Sequence, residues 1–207
     1  MTGRITVVYY SATGNIAAMA HALADGARSV SAEVRVRKVA ELAPPEAIAR
    51  NPRWAAFVES SRKEPPPSLD DLAWADGLAF GSPTRFGAAA SQLRAFLDTT
   101  GGLWAQGQLH DKVATSFTSA STAHGGLEST ILSMSNTFYH WGSLILPLGY
   151  ADPHVRKGAG NPYGASFVSR GSAPSDEISL EASRAQGRRL AKVAAWMRAG
   201  VESEQDK

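Results

Sequence analysis

The sequence has no cysteine among its 207 residues. That excludes disulfides, thiolate-bound metals and thiol nucleophiles together, and it leaves the compartment unmarked, so a cytoplasmic location is the default expectation. Long apolar runs are missing too. None approaches the ~20 residues of a membrane span, and the chain enters a strand pattern near its start, without a basic leader and apolar core. A soluble, unexported protein with no membrane span is expected. Neither sign of charge dominates: 21 Lys and Arg stand against 19 Asp and Glu, a net of +2. These charges are scattered, with no like-charge run and no basic helix face to read bases, so no nucleic-acid partner is expected. The glycine-rich Lys-Ser/Thr loop of a P-loop NTPase is absent. His21, His110 and His154 lack ligand spacing, so no metal site is expected.

The chain is 43% hydrophobic and 19% charged, enough for a proper core. Residues 1–200 read as one α/β domain and 201–207 as a flexible C-terminal tail. The organising stretch is the opening. A β-branched and aromatic run from Arg4 to Tyr10 ends in Ser11, Ala12, Thr13, Gly14, Asn15 and Ile16, and apolar residues then recur at Met19, Ala20, Leu23 and Ala27. This is strand, tight loop, helix. Such a loop gathers backbone N–H groups at the positive end of a helix dipole and adds the Ser11 and Thr13 hydroxyls, which suits a phosphate.

The alternation from Ala32 to Val39 predicts a second strand at a sheet edge. A long proline-bearing connection over 43–68 follows, with one helix-like piece from Ala47 to Ser61 docked by Trp54 and Phe57. Asp76 to Ser82 predicts a third strand, broken at Pro83, Thr84, Arg85, Phe86 and Gly87. A helix with Ala89, Leu93, Phe96 and Leu97 follows and stops at Gly101 and Gly102, with Leu103 and Trp104 in a loop. Lys112 to Ser119 reads as a strand, Ala120 to Gly126 as its loop, and Leu127, Ile131, Met134, Phe138 and Trp141 as a helical stripe. Ser143 to Gly149 reads as the next strand. The final helix runs from about Asp176 to Ala199, after a Gly- and Pro-rich stretch in which only residues 166–168 look strand-like. Trp54, Phe57, Met134, Phe138, Trp141 and Trp196 read as core or interface. Five strand–helix units at this spacing predict a doubly wound parallel sheet, order 2-1-3-4-5, with helices on both faces and a ligand beyond the carboxyl ends of the strands.

Three polar loops converge on that edge, and with them the chain resembles the flavodoxin-like NAD(P)H:quinone oxidoreductases of the WrbA type. The resemblance rests on Gly81 to Gly87, Gln92 to Asp98, Thr100 to Trp104, Phe117 to Ser119, His124 to Gly126 with Glu128, His140, Pro147 to Tyr150 and Pro162 to Ala165. It implies flavin mononucleotide (FMN) at the sheet edge, NADH or NADPH as reductant, a quinone as acceptor and a homo-oligomer, dimer or tetramer. By matching position, Ser11, Ala12, Thr13, Gly14, Asn15 and Ile16 would wrap the FMN phosphate. Pro83, Thr84, Arg85, Phe86 and Gly87 would line one side of the isoalloxazine. Ser119, Ala120, Ser121, Thr122, His124 and Gly125 would contact flavin and ribityl from the next loop. His140 would sit near the ring and pass a proton to the quinone, and Trp104 and Phe86 would meet substrate. Relatives often have Tyr and His where Thr13 and Asn15 stand, and the Tyr is thought to help dock the nicotinamide nucleotide. The resemblance leaves the preferred donor and the quinone open. A one-electron flavodoxin-like carrier and a non-enzymatic binding module are the alternative readings.

Overall fold

The computed structural model describes residues 2–171 and 174–205. The opening run forms β1 (Arg4–Tyr9), whose residues from Ile5 onward are all buried. Its side chains alternate between two cores. Ile5, Val7 and Tyr9 face one side and Val8 the other, joined there by Tyr10 just beyond the strand, the period-2 signature of a strand covered on both faces. Behind it come α1 (Asn15–Arg28) and β2 (Glu33–Lys38), and β2 pairs parallel with β1 at the sheet edge.

The long connection then forms α2 (Pro45–Ala49), α3 (Pro52–Ser60) and α4 (Leu69–Trp74). The single helical piece expected over Ala47 to Ser61 is thus two helices. Asn51 caps the second by accepting from Arg53 N and Trp54 N, and Pro52 occupies its first turn, which restarts the helix.

β3 (Gly77–Arg85) runs beside β1 and turns at Phe86 and Gly87 into the short β4 (Ala88–Ala89), which pairs back antiparallel on Thr84 and Arg85. Ala89 is therefore strand, and α5 (Ser91–Asp98) starts after it. Gly101 and Gly102 do not end the helical region. They open α6 (Gly101–Ala105), which also contains Leu103 and Trp104. Leu103 packs into the core, and that burial overrides the poor helix propensity of glycine.

β5 (Val113–Ala120) lies beside β3 and leads into α7 (Leu127–Trp141). The fifth sheet position is filled in two pieces. β6 (Leu144–Ile145) pairs with the start of β5, the chain leaves through α8 (Pro153–Lys157), and β7 (Ser166–Val168) returns to pair with the end of β5. The strand expected over 143–149 is therefore only its first part. α9 (Glu177–Gln205) closes the fold. It continues through 201–205, where a tail was expected; residues 206 and 207 lie outside the described residues.

The sheet order is β2-β1-β3-β5-β6, the expected 2-1-3-4-5 once the hairpin strand β4 is set aside. α1 and α9 cover one face, and α4 to α7 the other. On the second face Phe80, Phe138 and Trp141 meet with ring centroids 5.3–5.7 Å apart. All loops that follow the parallel strands of the sheet's interior therefore open on one edge.

Candidate functional site

At that edge lies a cleft of about 400 Å³. Its walls come from the β1–α1 loop (Ser11, Ala12, Thr13, Asn15, Ile16), the β3 end (Pro83, Thr84, Arg85), the β5 end (Ser119, Ala120, Ser121), the start of α3 (Asn51, Arg53, Trp54) and the loop after β7 (Ser169, Gly171). The volume suits a small-molecule site.

The first wall is a tight strand-to-helix loop. Gly14 has φ +96° and is the N-cap residue of α1, contributing no side-chain cap. A side chain there would be strained even though space is available, the nearest contact being Phe57 Cδ2 at 3.5 Å. The loop is held from within by Gly14 N donating to Ser11 Oγ at 3.1 Å. From outside, Ser175 N donates to Asn15 Oδ1 at 3.1 Å and Ser175 Oγ to Asn15 O at 3.2 Å. Asn15 thus ties the loop to the segment entering α9, while the first turn of α1 presents its amides and the positive end of the helix dipole.

The second and third walls are clamped together. Thr130 Oγ1 donates to Thr84 Oγ1 at 2.8 Å, Gly87 N donates to the same oxygen at 3.3 Å, and Thr84 Oγ1 approaches Gly126 O at 3.5 Å. A Cβ on Gly126 would come within 2.8 Å of Gly87 Cα, so the two loops touch backbone to backbone. Thr84 lines the cleft, as expected of it, with its hydroxyl engaged in the clamp.

Charge in the cleft is one-sided. Arg53 and Arg85 line it, and among the described residues no carboxylate does. Behind the wall, Glu41, which accepts from the lining residue Trp54, has its charge fully hydrogen-bonded. Burial alone raises its carboxyl pKa, but donors from Ala43 N, Gln92, Trp54 and Tyr10 outweigh this, and the net shift is downward. Burial, then the Glu41 hydrogen bond and charge, push the Tyr10 hydroxyl up, so it stays a donor.

Other expected residues are placed elsewhere. Phe86 is fully exposed with φ +52°, at the hairpin tip, and Gly87 beside it serves the turn. Thr122 borders the adjoining hollow that shares Ser121 and Gly171 with the cleft. His124 and Gly125 follow in the same loop and do not line the cleft. His140 is not near the cleft of its own chain. α7 begins at the cleft edge, and at ~1.5 Å per residue its last turn, with His140, ends about 20 Å away. Trp104, 55% exposed, sits in α6 outside the cleft as well. Conversely, Trp54, read as core or interface, is a wall residue whose other side packs on the core. Asn51 and Arg53 come with it, and the Asn51-Pro52 helix start was their signal in the sequence. Ser169 and Gly171 lie in a Gly-rich stretch whose direction no periodicity reveals.

The flavodoxin family profile matches residues 7–141. A protein of Deinococcus radiodurans named NAD(P)H dehydrogenase (quinone) is 44% identical over 168 residues, 81% of this chain and 84% of its own. One of the same name from Rhizobium rhizogenes is 45% identical over 199 residues, covering 93% and 97%. Among solved structures, the flavodoxin, WrbA-like protein from Agrobacterium tumefaciens aligns with a TM-score of 0.67 at 23% identity, over 94% of this chain and 99% of that one, a likeness of fold. A doubly wound sheet, a family profile that matches residues 7–141 and relatives alike over most of their length place this chain in the flavodoxin family, among the members named NAD(P)H dehydrogenase (quinone).

Proposed function

We propose that the protein is an FMN-dependent NAD(P)H:quinone oxidoreductase. The observation that carries this reading is the cleft, in which the start of α1, without a side-chain cap, and two arginines, with no carboxylate among the described residues, converge on one small-molecule space. A phosphate ester bearing close to two negative charges is stabilised there by amides, hydroxyls and guanidinium groups. Bound FMN supplies hydride transfer, and the chain supplies binding and orientation. Ser11 to Ile16 hold the phosphate end, while 83–85 and 119–121 flank the ring. The single cleft accommodates reductant and quinone in turn, which makes the kinetics ping-pong.

His140 and Trp104 lie away from their own chain's cleft, so a part for either in the reaction requires an oligomer in which one copy completes another's site. Exposed Leu132 and Tyr139 on α7, together with Trp104, give such an assembly an apolar face.

The test is steady-state kinetics of FMN-loaded protein with NADH and NADPH against benzoquinone. Parallel-line patterns with turnover support the reading, whereas a protein that takes up no FMN on reconstitution removes it. His140→Ala is expected to lower quinone turnover more than flavin affinity, and wild-type turnover would return that residue to packing.

A further inference from the structure

The β2–β3 connection brings one aromatic side chain to the cleft and fixes it with unusual care. Trp54 is the third residue of α3, in the turn set by the Asn51 cap, whose Oδ1 accepts from Arg53 N at 3.1 Å and Trp54 N at 3.3 Å. Its indole packs on the core that contains Tyr10 and Ala12, and it also lines the cleft. The indole N–H donates to Glu41 Oε2 at 2.9 Å. Glu41 accepts four further hydrogen bonds: Tyr10 OH at 2.8 Å on the same oxygen, and Gln92 Nε2 at 2.7 Å with Leu42 N and Ala43 N, both at 2.9 Å, on the other.

Five donors saturate the lone pairs of a carboxylate, so Glu41 has no capacity left to act as a base or to bind a ligand. What this arrangement achieves is orientation. Core packing alone holds an indole loosely about its long axis, whereas a saturated charged acceptor at its one polar atom fixes the ring plane. The donors come from the end of β1, the helix α5 and the segment after β2, so the ring is referenced to the same elements that shape the phosphate loop and the β3 end. An aromatic residue fixed at the wall of a cleft needs little reordering to receive a planar ligand.

We propose that Trp54 is a stacking wall for the planar ring bound in this cleft, the isoalloxazine of FMN, and that Glu41 is the positioning residue that holds it. This rests on the FMN reading above, and the experiment separates the two. Apoprotein is titrated with FMN and with riboflavin, which shares the ring but lacks the phosphate, following quenching of flavin fluorescence. Trp54→Ala is expected to weaken both ligands about tenfold, the size of an aromatic pair contact, and to leave the bound flavin more fluorescent. Trp54→Phe should restore most of the affinity. Glu41→Gln, which keeps shape but loses charge, should weaken both ligands about threefold with the indole still present. Trp54→Leu preserves core volume without an aromatic face and replaces the alanine variant if that one does not fold. Unchanged affinity and quenching in Trp54→Ala or Trp54→Leu would overturn the proposal, as would weakened FMN with unaffected riboflavin, since that places the contact at the phosphate. Wild-type protein that binds neither ligand overturns the FMN reading itself.

Discussion

Two stretches build the mouth of the cleft, and they are made in opposite ways. The β1–α1 loop is short and local. Its shape follows from Gly14 at positive φ and from the strand and helix it joins, and it works with backbone amides. The β2–β3 connection spans residues 39–76 and has no such intrinsic shape. It is held by side-chain anchors far apart in sequence: Glu41 to Tyr10 and Gln92 near its start, and the Ser68–Asp71 capping box, with Asp71 joined to Arg35 and Arg37, at its end. The difference teaches that a tight strand-to-helix turn is specified by local backbone chemistry, while an aromatic wall on a long excursion needs polar locks placed by the rest of the fold.

The sharpest way to break this comparison is at the anchor. Asp71 is buried and accepts from Arg37 Nε at 2.8 Å, Arg37 Nη2 at 2.9 Å and Arg35 Nη1 at 3.2 Å. Asp71→Ala should cost about 2–3 kcal/mol in urea unfolding, the lower side for a buried pair because both arginines keep contact with solvent. Burial pushes the Asp71 carboxyl up, yet its hydrogen bonds to Arg37 and Ser68 and the Arg37 charge bring it below the ordinary carboxylate value. Its folded pKa is thus depressed, so its contribution is complete above the unfolded value of about 4 and is lost as pH falls through the folded one. Acid unfolding that is no steeper in the wild type than in Asp71→Asn would contradict this.

The loop itself is broken by Gly14→Val. A side chain at φ +96° is strained by about 2 kcal/mol; a loop that relieves this when empty must restore it on binding, so FMN affinity should fall by up to roughly 30-fold in titration of apoprotein, with riboflavin much less affected. Equal losses for the two ligands would show that the loop does not hold the phosphate. Thr84→Val removes the inter-loop clamp and should lower stability by about 1 kcal/mol, visible as a reduced midpoint in urea. Phe86→Ala should be smallest in stability, within about 0.5 kcal/mol, because the ring is fully exposed. A raised KM for quinone in that variant sharpens the assignment of the hairpin tip to substrate contact.

How much was legible follows the same division. The strand, loop and helix at residues 4–28 were readable because a buried strand and an amphipathic helix each carry their own period, and Ser, Thr, Gly and Asn between them have turn chemistry. The edge strand β2 announced itself by charge alternation. Gly101 and Gly102 misled because glycine reports only local propensity, whereas the burial of Leu103 decided α6. The split of the fifth sheet position was hidden because β6 and β7 are only two and three residues long, too short to show a period. Trp54 carried the signal of a core residue, and it is one on its inner side; no local pattern says that its other side faces a cleft.

By itself, then, the sequence determined the main strands and helices, the doubly wound sheet they form and the tight loop after its first strand, since periodicity, caps and positive-φ glycine act over a few neighbouring residues. Only the tertiary structure decided the rest. It carried His140 down α7 away from the cleft, turned the Thr84 hydroxyl into a clamp between loops, and brought Glu41, Tyr10, Gln92 and Trp54 together across as many as 82 positions of the chain. Such contacts depend on helix length, loop closure and side-chain reach in three dimensions, none of which is written in any single window of residues.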